Sequence, residues 1–176
     1  MNYSELKLFD VANGPGIRVT LYVSGCTHHC NGCFNTVTWD FNAGKPFDEA
    51  VMDKIIDAMK ASYIAGITIL GGEPFEYVNQ EGLLPLLKKV KETYPEKDVW
   101  CFTGYLFDKD IIDAMTKESP YTSELLKYID VIVDGPFIEE QRNLMLKFKG
   151  SENQRTLDVQ KSLEAEYVIE REGYES

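Results

Sequence analysis

Short apolar runs alternate along this chain with stretches in which apolar residues recur every three or four positions. Strands are predicted at four apolar runs, residues 17–23, 67–70, 99–102 and 131–133. Helices are predicted from the N-cap Asp48 to about Ser62, through 83–94 with Pro85 in the first turn, and more weakly over 109–128 with a break at Ser119-Pro120. This alternation of strands with helices favours βα units and a parallel sheet.

Beyond residue 133 the pattern is less regular. Residues 142–155 are predicted to form a loop, 164–169 a last strand or a short helix, and the charged residues 170–176 a frayed tail. The loop contains four basic residues that form either a solvated surface or a partner-facing segment, namely Arg142, Lys147, Lys149 and Arg155. With 176 residues the chain is long enough for one well-buried domain and short for two, so we expect a single domain over 1–176.

Acidic residues outnumber basic ones in the composition. The chain has 29 Asp and Glu against 18 Lys and Arg, which gives a formal net charge of −11. Such a surface repels the phosphates of nucleic acids and anionic lipids, so neither nucleic acid nor membrane is expected as a partner. Residues 1–10 lack the apolar region of a secretory signal, and no run approaches the ~18 apolar residues of a spanning helix. We therefore expect a cytoplasmic protein.

Three of the four cysteines lie within eight residues, directly after the first predicted strand. Cys26, Cys30 and Cys33 have C-x3-C-x2-C spacing, and three thiolates on one loop can hold three irons of a [4Fe–4S] cluster while the fourth iron stays open. A structural zinc site completed by His28 or His29 is the alternative. The fourth cysteine lies inside an apolar run and is expected to be a core residue. This distribution favours a metal site in a reducing compartment over disulfides.

Each distinctive motif follows directly after a predicted strand. The four motifs, in chain order, are the cysteine loop, Gly71-Gly72-Glu73-Pro74, Thr103-Gly104-Tyr105 and Asp134-Gly135. Ligand sites of open α/β sheets and of α/β barrels alike are built at the carboxyl ends of the strands. The sequence therefore predicts that four loops converge on one site.

The cysteine loop and the glycine motif together resemble the radical S-adenosylmethionine superfamily. The signature of that superfamily is the C-x3-C-x2-C spacing, and residues 71–74 resemble its GGEP motif. In most members an aromatic residue precedes the third cysteine, whereas Gly32 stands there in this chain and Phe34 follows the cysteine.

Further matches narrow the resemblance to the glycyl-radical activating enzymes. Residues 10–18 resemble their D-x-x-N-G-P-G-x-R segment. Residues 99–105, 131–137 and 150–155 are similar to one branch, the activators of anaerobic ribonucleoside-triphosphate reductase, and the similarity runs from residue 2 to about 158.

The resemblance implies a fold, two cofactors and a protein substrate. The fold is α/β, a partial and open (β/α) barrel of the radical S-adenosylmethionine type, and a complete eight-unit barrel typically takes ~250 residues. The cofactors are one [4Fe–4S] cluster and S-adenosylmethionine, whose reductive cleavage gives a radical that abstracts hydrogen from a glycine of the reductase. A one-electron reductant such as flavodoxin supplies the electron.

The resemblance also implies roles for particular residues. The cluster ligands are Cys26, Cys30 and Cys33, whereas the residues at the S-adenosylmethionine site are Gly32, Cys33, Phe34, Gly71, Gly72, Glu73 and Thr103. No side chain is expected to act as an acid, base or nucleophile. His28 and His29 are then solvent-facing spacers.

Two other functions remain open from the sequence. An activase of another glycyl-radical enzyme, such as formate acetyltransferase, shares the early motifs. A non-catalytic, metal-stabilised docking module would use the cysteines but leaves residues 71–74 without a role.

Overall fold

A seven-stranded mixed sheet forms the framework of the protein. The computed structural model describes residues 1–175. Its strands are β1 (Asn2–Asp10), β2 (Ile17–Val23), β3 (Lys45–Pro46), β4 (Ile64–Gly71), β5 (Asp98–Phe102), β6 (Val131–Asp134) and β7 (Arg155–Asp158). They lie in the order β3-β1-β2-β4-β5-β6-β7, so the sheet is open, with β3 and β7 at its edges.

The four strands predicted from apolar runs form the parallel centre of this sheet. Pairing is parallel from β2 through β4 and β5 to β6, and antiparallel where β1 and β7 flank this centre. Parallel neighbours need crossover connections, which explains why helical segments separate these strands in the sequence. The prediction of βα units is confirmed.

Helices lie between the central strands and after β7. They are α1 (Glu49–Ala58), α2 (Tyr77–Thr93), a π-helix (Phe107–Met115) that continues into α3 (Thr116–Glu118), α4 (Thr122–Leu126) and α5 (Val159–Ala165). Asp48 caps α1 by accepting a hydrogen bond from the amide of Val51 at 3.0 Å, as predicted. Among residues 1–175 no helix is long and apolar enough to cross a membrane.

The two faces of the sheet are covered differently. In β5, Val99 and Cys101 belong to the main core, whereas Trp100 packs on the opposite face with Val131 and Val133 of β6. Because side chains alternate across a strand, one run of apolar residues supplies both faces. The second face is covered by Phe148 and Tyr174 from the last part of the chain.

The prediction of a frayed tail is wrong for Glu170, Arg171 and Tyr174. The amide of Arg171 donates to the carbonyl of Thr156, and its guanidinium pairs with Asp158 at 3.0 Å. Tyr174 packs on Trp100 with ring centroids 5.4 Å apart. The last residue of the predicted tail, Ser176, lies outside the described residues.

Several boundaries differ from the prediction for identifiable reasons. Helix α2 begins at Tyr77, so Pro85 lies in its middle rather than its first turn. The first turns were missed because Asn79 and Gln80 are polar, yet both are fully buried and hydrogen-bonded to backbone carbonyls. The predicted last element at 164–169 is also wrong, since α5 ends at Ala165 and the last strand precedes it.

Candidate functional site

A cavity of about 230 Å³ opens at the carboxyl ends of β2, β4, β5 and β6. Its walls include Cys26, Cys30 and Cys33 after β2, Gly71, Gly72 and Glu73 at the end of β4, Thr103 and Gly104 after β5, and Gly135 after β6. The predicted convergence of four loops is therefore confirmed.

Strand register explains why these loops meet. Val23 pairs with Gly71, so the cysteine loop and the Gly-Gly segment leave the sheet side by side. Phe102 pairs with Val133, so the loops that follow β5 and β6 leave the sheet next to each other. Loops that leave a parallel sheet at the carboxyl ends of neighbouring strands lie together over the same end of the sheet.

Gly72 lies where the Gly-Gly segment contacts the cysteine loop. A Cβ placed on it would lie 2.5 Å from the carbonyl oxygen of Gly25 and 2.8 Å from that of Thr38. The amide of Glu73 donates to the carbonyl of Gly25 at 2.8 Å. Only a residue without a side chain allows the Gly-Gly segment to approach the start of the cysteine loop in this way.

The three clustered cysteines face the cavity as free thiols. Cys26 is buried, whereas Cys30 and Cys33 are half-buried. Burial raises the pKa of the Cys26 thiol to about 11, so a thiolate there needs the positive charge of a bound metal. Within residues 1–175 no three His, Cys, Asp or Glu side chains are gathered as ligands of one metal ion. A [4Fe–4S] cluster attaches each cysteine to a different iron, so the three thiols that line this cavity are the kind of donor set that such a cluster takes.

Glu73 is the most extensively bonded side chain of the cavity. It is 1% exposed, and its two oxygens accept four hydrogen bonds. The donors are His28 Nε2 (2.7 Å), the Gly104 amide (2.7 Å), Thr103 Oγ1 (2.7 Å) and the Phe75 amide (2.8 Å). These donors hold an anionic group beside the cavity in a fixed orientation.

The expectation that His28 faces solvent is wrong. Its ring is mostly covered, donates to Glu73 and packs against Tyr105 with ring centroids 4.3 Å apart. Burial by itself would lower the pKa of His28, but the hydrogen bond and negative charge of Glu73 outweigh burial and raise it. His29 is exposed, as expected, and stacks on Trp39.

The two residues that flank Cys33 are placed differently. Phe34 lines the cavity at its mouth, where it is 65% exposed, and it packs against Phe137. Gly32 has a φ of +74° and lies outside the cavity lining, next to the carboxylate of Glu139. The guanidinium of Arg142 lies over the Phe34 ring, 4.8 Å from its centroid.

Several cavity residues were not among the predicted ligands of the cluster or of S-adenosylmethionine. They are His28, Asn35, Trp39, Leu70, Phe102, Val133, Phe137, Gly150 and Gln154. Gln154 donates to the carbonyl of Gly135 at 3.0 Å and thereby joins the 142–155 loop to the site. A distant glutamine that reaches a loop carbonyl leaves no periodic signal in the sequence.

The protein that contains this site belongs to a known family of iron–sulfur proteins. The family model described as 4Fe-4S single cluster domain matches residues 12–157, most of the chain, so the protein belongs to that family. This membership supports an iron–sulfur cluster over the structural zinc that the spacing also allowed.

Similar proteins identify the branch. A protein of Haemophilus influenzae is 44% identical over 156 residues, which cover 88% of this chain and 96% of that protein. A protein of Enterobacteria phage T4 is 41% identical over 157 residues (88% and 92%), and one of Escherichia coli K12 is 38% identical over 156 residues (88% and 96%). All three are named anaerobic ribonucleoside-triphosphate reductase-activating protein. The chain belongs to this family of activating proteins, which confirms the branch that its sequence resembles.

Proposed function

We propose that this protein activates an anaerobic ribonucleoside-triphosphate reductase by generating a radical on a glycine of the reductase. The observation that carries the proposal is that the cysteine loop and the Gly71–Glu73 segment line the same cavity. A cluster and S-adenosylmethionine would supply the chemistry when both are bound: one electron from the reduced cluster would break the C5′–S bond of the sulfonium, releasing methionine and a 5′-deoxyadenosyl radical.

The three cavity cysteines would hold the cluster. Cys26 approaches from the buried side, where its amide donates to the carbonyl of Trp39 at 3.2 Å. Cys30 and Cys33 lie nearer the opening, and the amide of Cys33 donates to the carbonyl of Cys30 at 3.1 Å. These backbone contacts fix the loop from which the three thiolates would hold three irons of the cluster, leaving the fourth iron for a ligand.

The Gly71–Glu73 segment and Thr103 would bind the methionyl part of S-adenosylmethionine. The carboxylate of Glu73 offers a fixed negative charge for the ammonium group. Thr103 holds that carboxylate through its hydroxyl, and the glycines let the ligand approach the backbone. Phe34 and the region of Gly32 are proposed to meet the adenosyl part.

Apolar side chains would keep water away from the radical. Phe102, Val133 and Phe137 line the same cavity as the cysteines. The cavity opens to the surface beside Phe34, so that a glycine on a loop of a partner protein can reach it, whereas a closed pocket would admit only small molecules. The residues of this chain thus position and shield the reactants and need not donate or accept protons themselves.

The proposal also includes the domain organisation, the electron donor and the location of the protein in the cell. We propose that residues 1–176 form one domain and that the open sheet curves as a partial (β/α) barrel around the cavity. The electron would come from a flavodoxin or a similar one-electron donor. Cytoplasmic residence is supported by the four free cysteines, which need a reducing compartment.

Anaerobic cleavage of S-adenosylmethionine tests the proposal. Reconstituted protein, dithionite and S-adenosylmethionine should yield 5′-deoxyadenosine, measured by chromatography. Cys30→Ala should abolish the product together with the cluster. Cys101→Ala is the matched control, because Cys101 is buried in the core, so this variant should keep its iron content and its product.

Two results would contradict the proposal. Formation of 5′-deoxyadenosine by Cys30→Ala would show that Cys30 is not a ligand of the cluster. No product from wild-type protein with a full iron complement and the reductase present would favour a metal-stabilised docking module.

A further inference from the structure

Two consecutive residues of the cysteine loop are tied to the segment that follows β4. Thr27 donates from its amide (3.0 Å) and its hydroxyl (2.6 Å) to Glu76 Oε1. His28 donates to Glu73 Oε1 at 2.7 Å. The loop that carries the cysteines and the carboxylate beside the cavity therefore do not move independently.

The four donors to Glu73 come from three parts of the chain. Phe75 belongs to the same segment as Glu73, and Thr103 and Gly104 follow β5. Only His28 lies on the cysteine loop. Its hydrogen bond is thus the direct link between the anionic group and the loop that would hold the cluster.

His28 is also firmly held. The side chain is 18% exposed, and its ring packs edge-on against Tyr105. A Cβ on Gly104 would lie 2.8 Å from the ring, so the residue at 104 must be small for His28 to reach Glu73. A ring restricted in this way can keep its hydrogen-bond partner at a constant distance and angle.

We propose that His28 is a positioning residue, which holds the Glu73 carboxylate against the cysteine loop so that the ammonium group of S-adenosylmethionine binds at the correct distance from the cluster. This inference rests on the proposed function. His28 would act through Glu73 and would not itself contact the ligand. The ammonium group of S-adenosylmethionine would donate a charge-assisted hydrogen bond to the carboxylate of Glu73. The affinity for the ligand then depends on the position in which that carboxylate is held.

The test is the affinity of cluster-reconstituted protein for S-adenosylmethionine, measured by anaerobic equilibrium dialysis without reductant. His28→Ala should weaken binding by about tenfold, as expected when one of several hydrogen bonds to a charged group is lost. Its iron content should match that of wild type, as should the electron paramagnetic resonance spectrum of a separate sample whose cluster is reduced with dithionite. His28→Gln, which retains a side-chain N–H donor, should recover part of the affinity.

Two control variants separate positioning from general loosening of the loop. His29→Ala changes the neighbouring histidine, which is exposed and stacks on Trp39, and should bind S-adenosylmethionine as wild type does. Thr27→Val removes the hydroxyl contact to Glu76 but leaves the His28–Glu73 bond, and should change the affinity by less than His28→Ala.

A ligand that lacks the ammonium group adds a second test. For the deamino analogue of S-adenosylmethionine, in which an oxo group replaces the ammonium, His28→Ala should weaken binding less than twofold. An equal loss for both ligands would show that His28 acts on the whole site, and would overturn the inference. Tighter binding of S-adenosylmethionine by His28→Ala would overturn it too, by showing that His28 and the ammonium compete for Oε1.

The inference and the proposed function fail in different ways. If wild-type protein binds and cleaves S-adenosylmethionine while His28→Ala binds it equally tightly, the inference alone is wrong. If wild-type protein with a complete cluster does not bind S-adenosylmethionine, both are wrong.

Discussion

Arg18 and Asp98 form a 2.7 Å ion pair at the end of the sheet opposite the cysteine loop. The Arg18 side chain is fully buried and donates to Thr68 Oγ1 at 2.8 Å and to the carbonyls of Pro15 and Ile67, each at 3.0 Å. It thereby joins the first halves of β2, β4 and β5. The 10–18 segment, whose sequence resembles activating enzymes, stabilises the sheet and lies apart from the described lining of the cavity.

Replacing Arg18 should cost stability. Arg18→Met keeps much of the apolar volume but leaves Thr68 and two carbonyls without their donor and Asp98 without its partner. We expect a loss of about 3 kcal/mol in the free energy of unfolding, measured by denaturant titration. The control is Lys89→Ala, because Lys89 forms an exposed pair with Asp53 and should change stability by less than about 0.5 kcal/mol. Equal stability of Arg18→Met and wild type would show that the buried pair is not stabilising.

Asp10 makes stability depend on pH in the acidic range. Burial alone would raise the pKa of its carboxyl, but hydrogen bonds from Thr20, Asn13 and the Ala12 amide outweigh burial and lower it below the ordinary 3.8. A lowered pKa in the folded protein adds stability above the ordinary value, and this stability is lost as the pH falls through the folded pKa. Asp10→Asn should therefore be less stable than wild type at pH 7.

The pH titration of the two proteins checks this sign. The difference in unfolding free energy between wild type and Asp10→Asn should shrink as the pH falls below 3.8. A difference that stays constant down to acidic pH would mean that the carboxylate charge at Asp10 does not contribute.

A side chain at Gly72 should separate the two loops. Gly72→Ala places a methyl group against the carbonyls of Gly25 and Thr38, and overpacking of this kind costs about 2 kcal/mol. Because the Gly-Gly segment must then move, the variant should also lose binding of S-adenosylmethionine. Gly173→Ala is a control for backbone strain alone, since its φ is +89° but nothing lies within 4 Å of the added Cβ. It should lose about 1 kcal/mol and bind normally.

Thr103 should contribute to ligand binding through its hydroxyl. Thr103→Val removes the 2.7 Å hydrogen bond to Glu73, so the carboxylate loses one of its four donors. We expect S-adenosylmethionine to bind about tenfold more weakly, which corresponds to about 1.4 kcal/mol. Thr103→Ser keeps the hydroxyl and should bind within about twofold of wild type. Unchanged affinity in Thr103→Val would show that the hydroxyl does not hold Glu73 in its binding orientation.

The sequence predicts the central strands and the position of the site because both depend on local patterns. The bounds of β2 agree with the apolar run at 17–23, and the four motifs lie where that topology places them. Strand β1 was missed because its alternating side chains include charged residues, although Tyr3 and Leu6 pack against the core. Antiparallel strands such as β1 can have one face in solvent, and the polar residues of that face weaken the hydrophobic signal in the sequence.

The contact between His28 and Glu73 shows where prediction from sequence ends. The two residues are 45 positions apart, and His28 stands between two cysteines where a spacer is expected. Nothing in the local pattern distinguishes it from His29. Only the pairing of Val23 with Gly71, which depends on the register of β2 and β4, places the ring beside the carboxylate.

The most direct test of the central claim is electron paramagnetic resonance of the reductase after anaerobic incubation with this protein, S-adenosylmethionine and a reductant. We predict a glycyl radical on the reductase, whose hyperfine splitting collapses when the reductase is labelled with glycine deuterated at Cα. Formation of 5′-deoxyadenosine without a radical on the reductase, but with one on a formate acetyltransferase, would contradict the account.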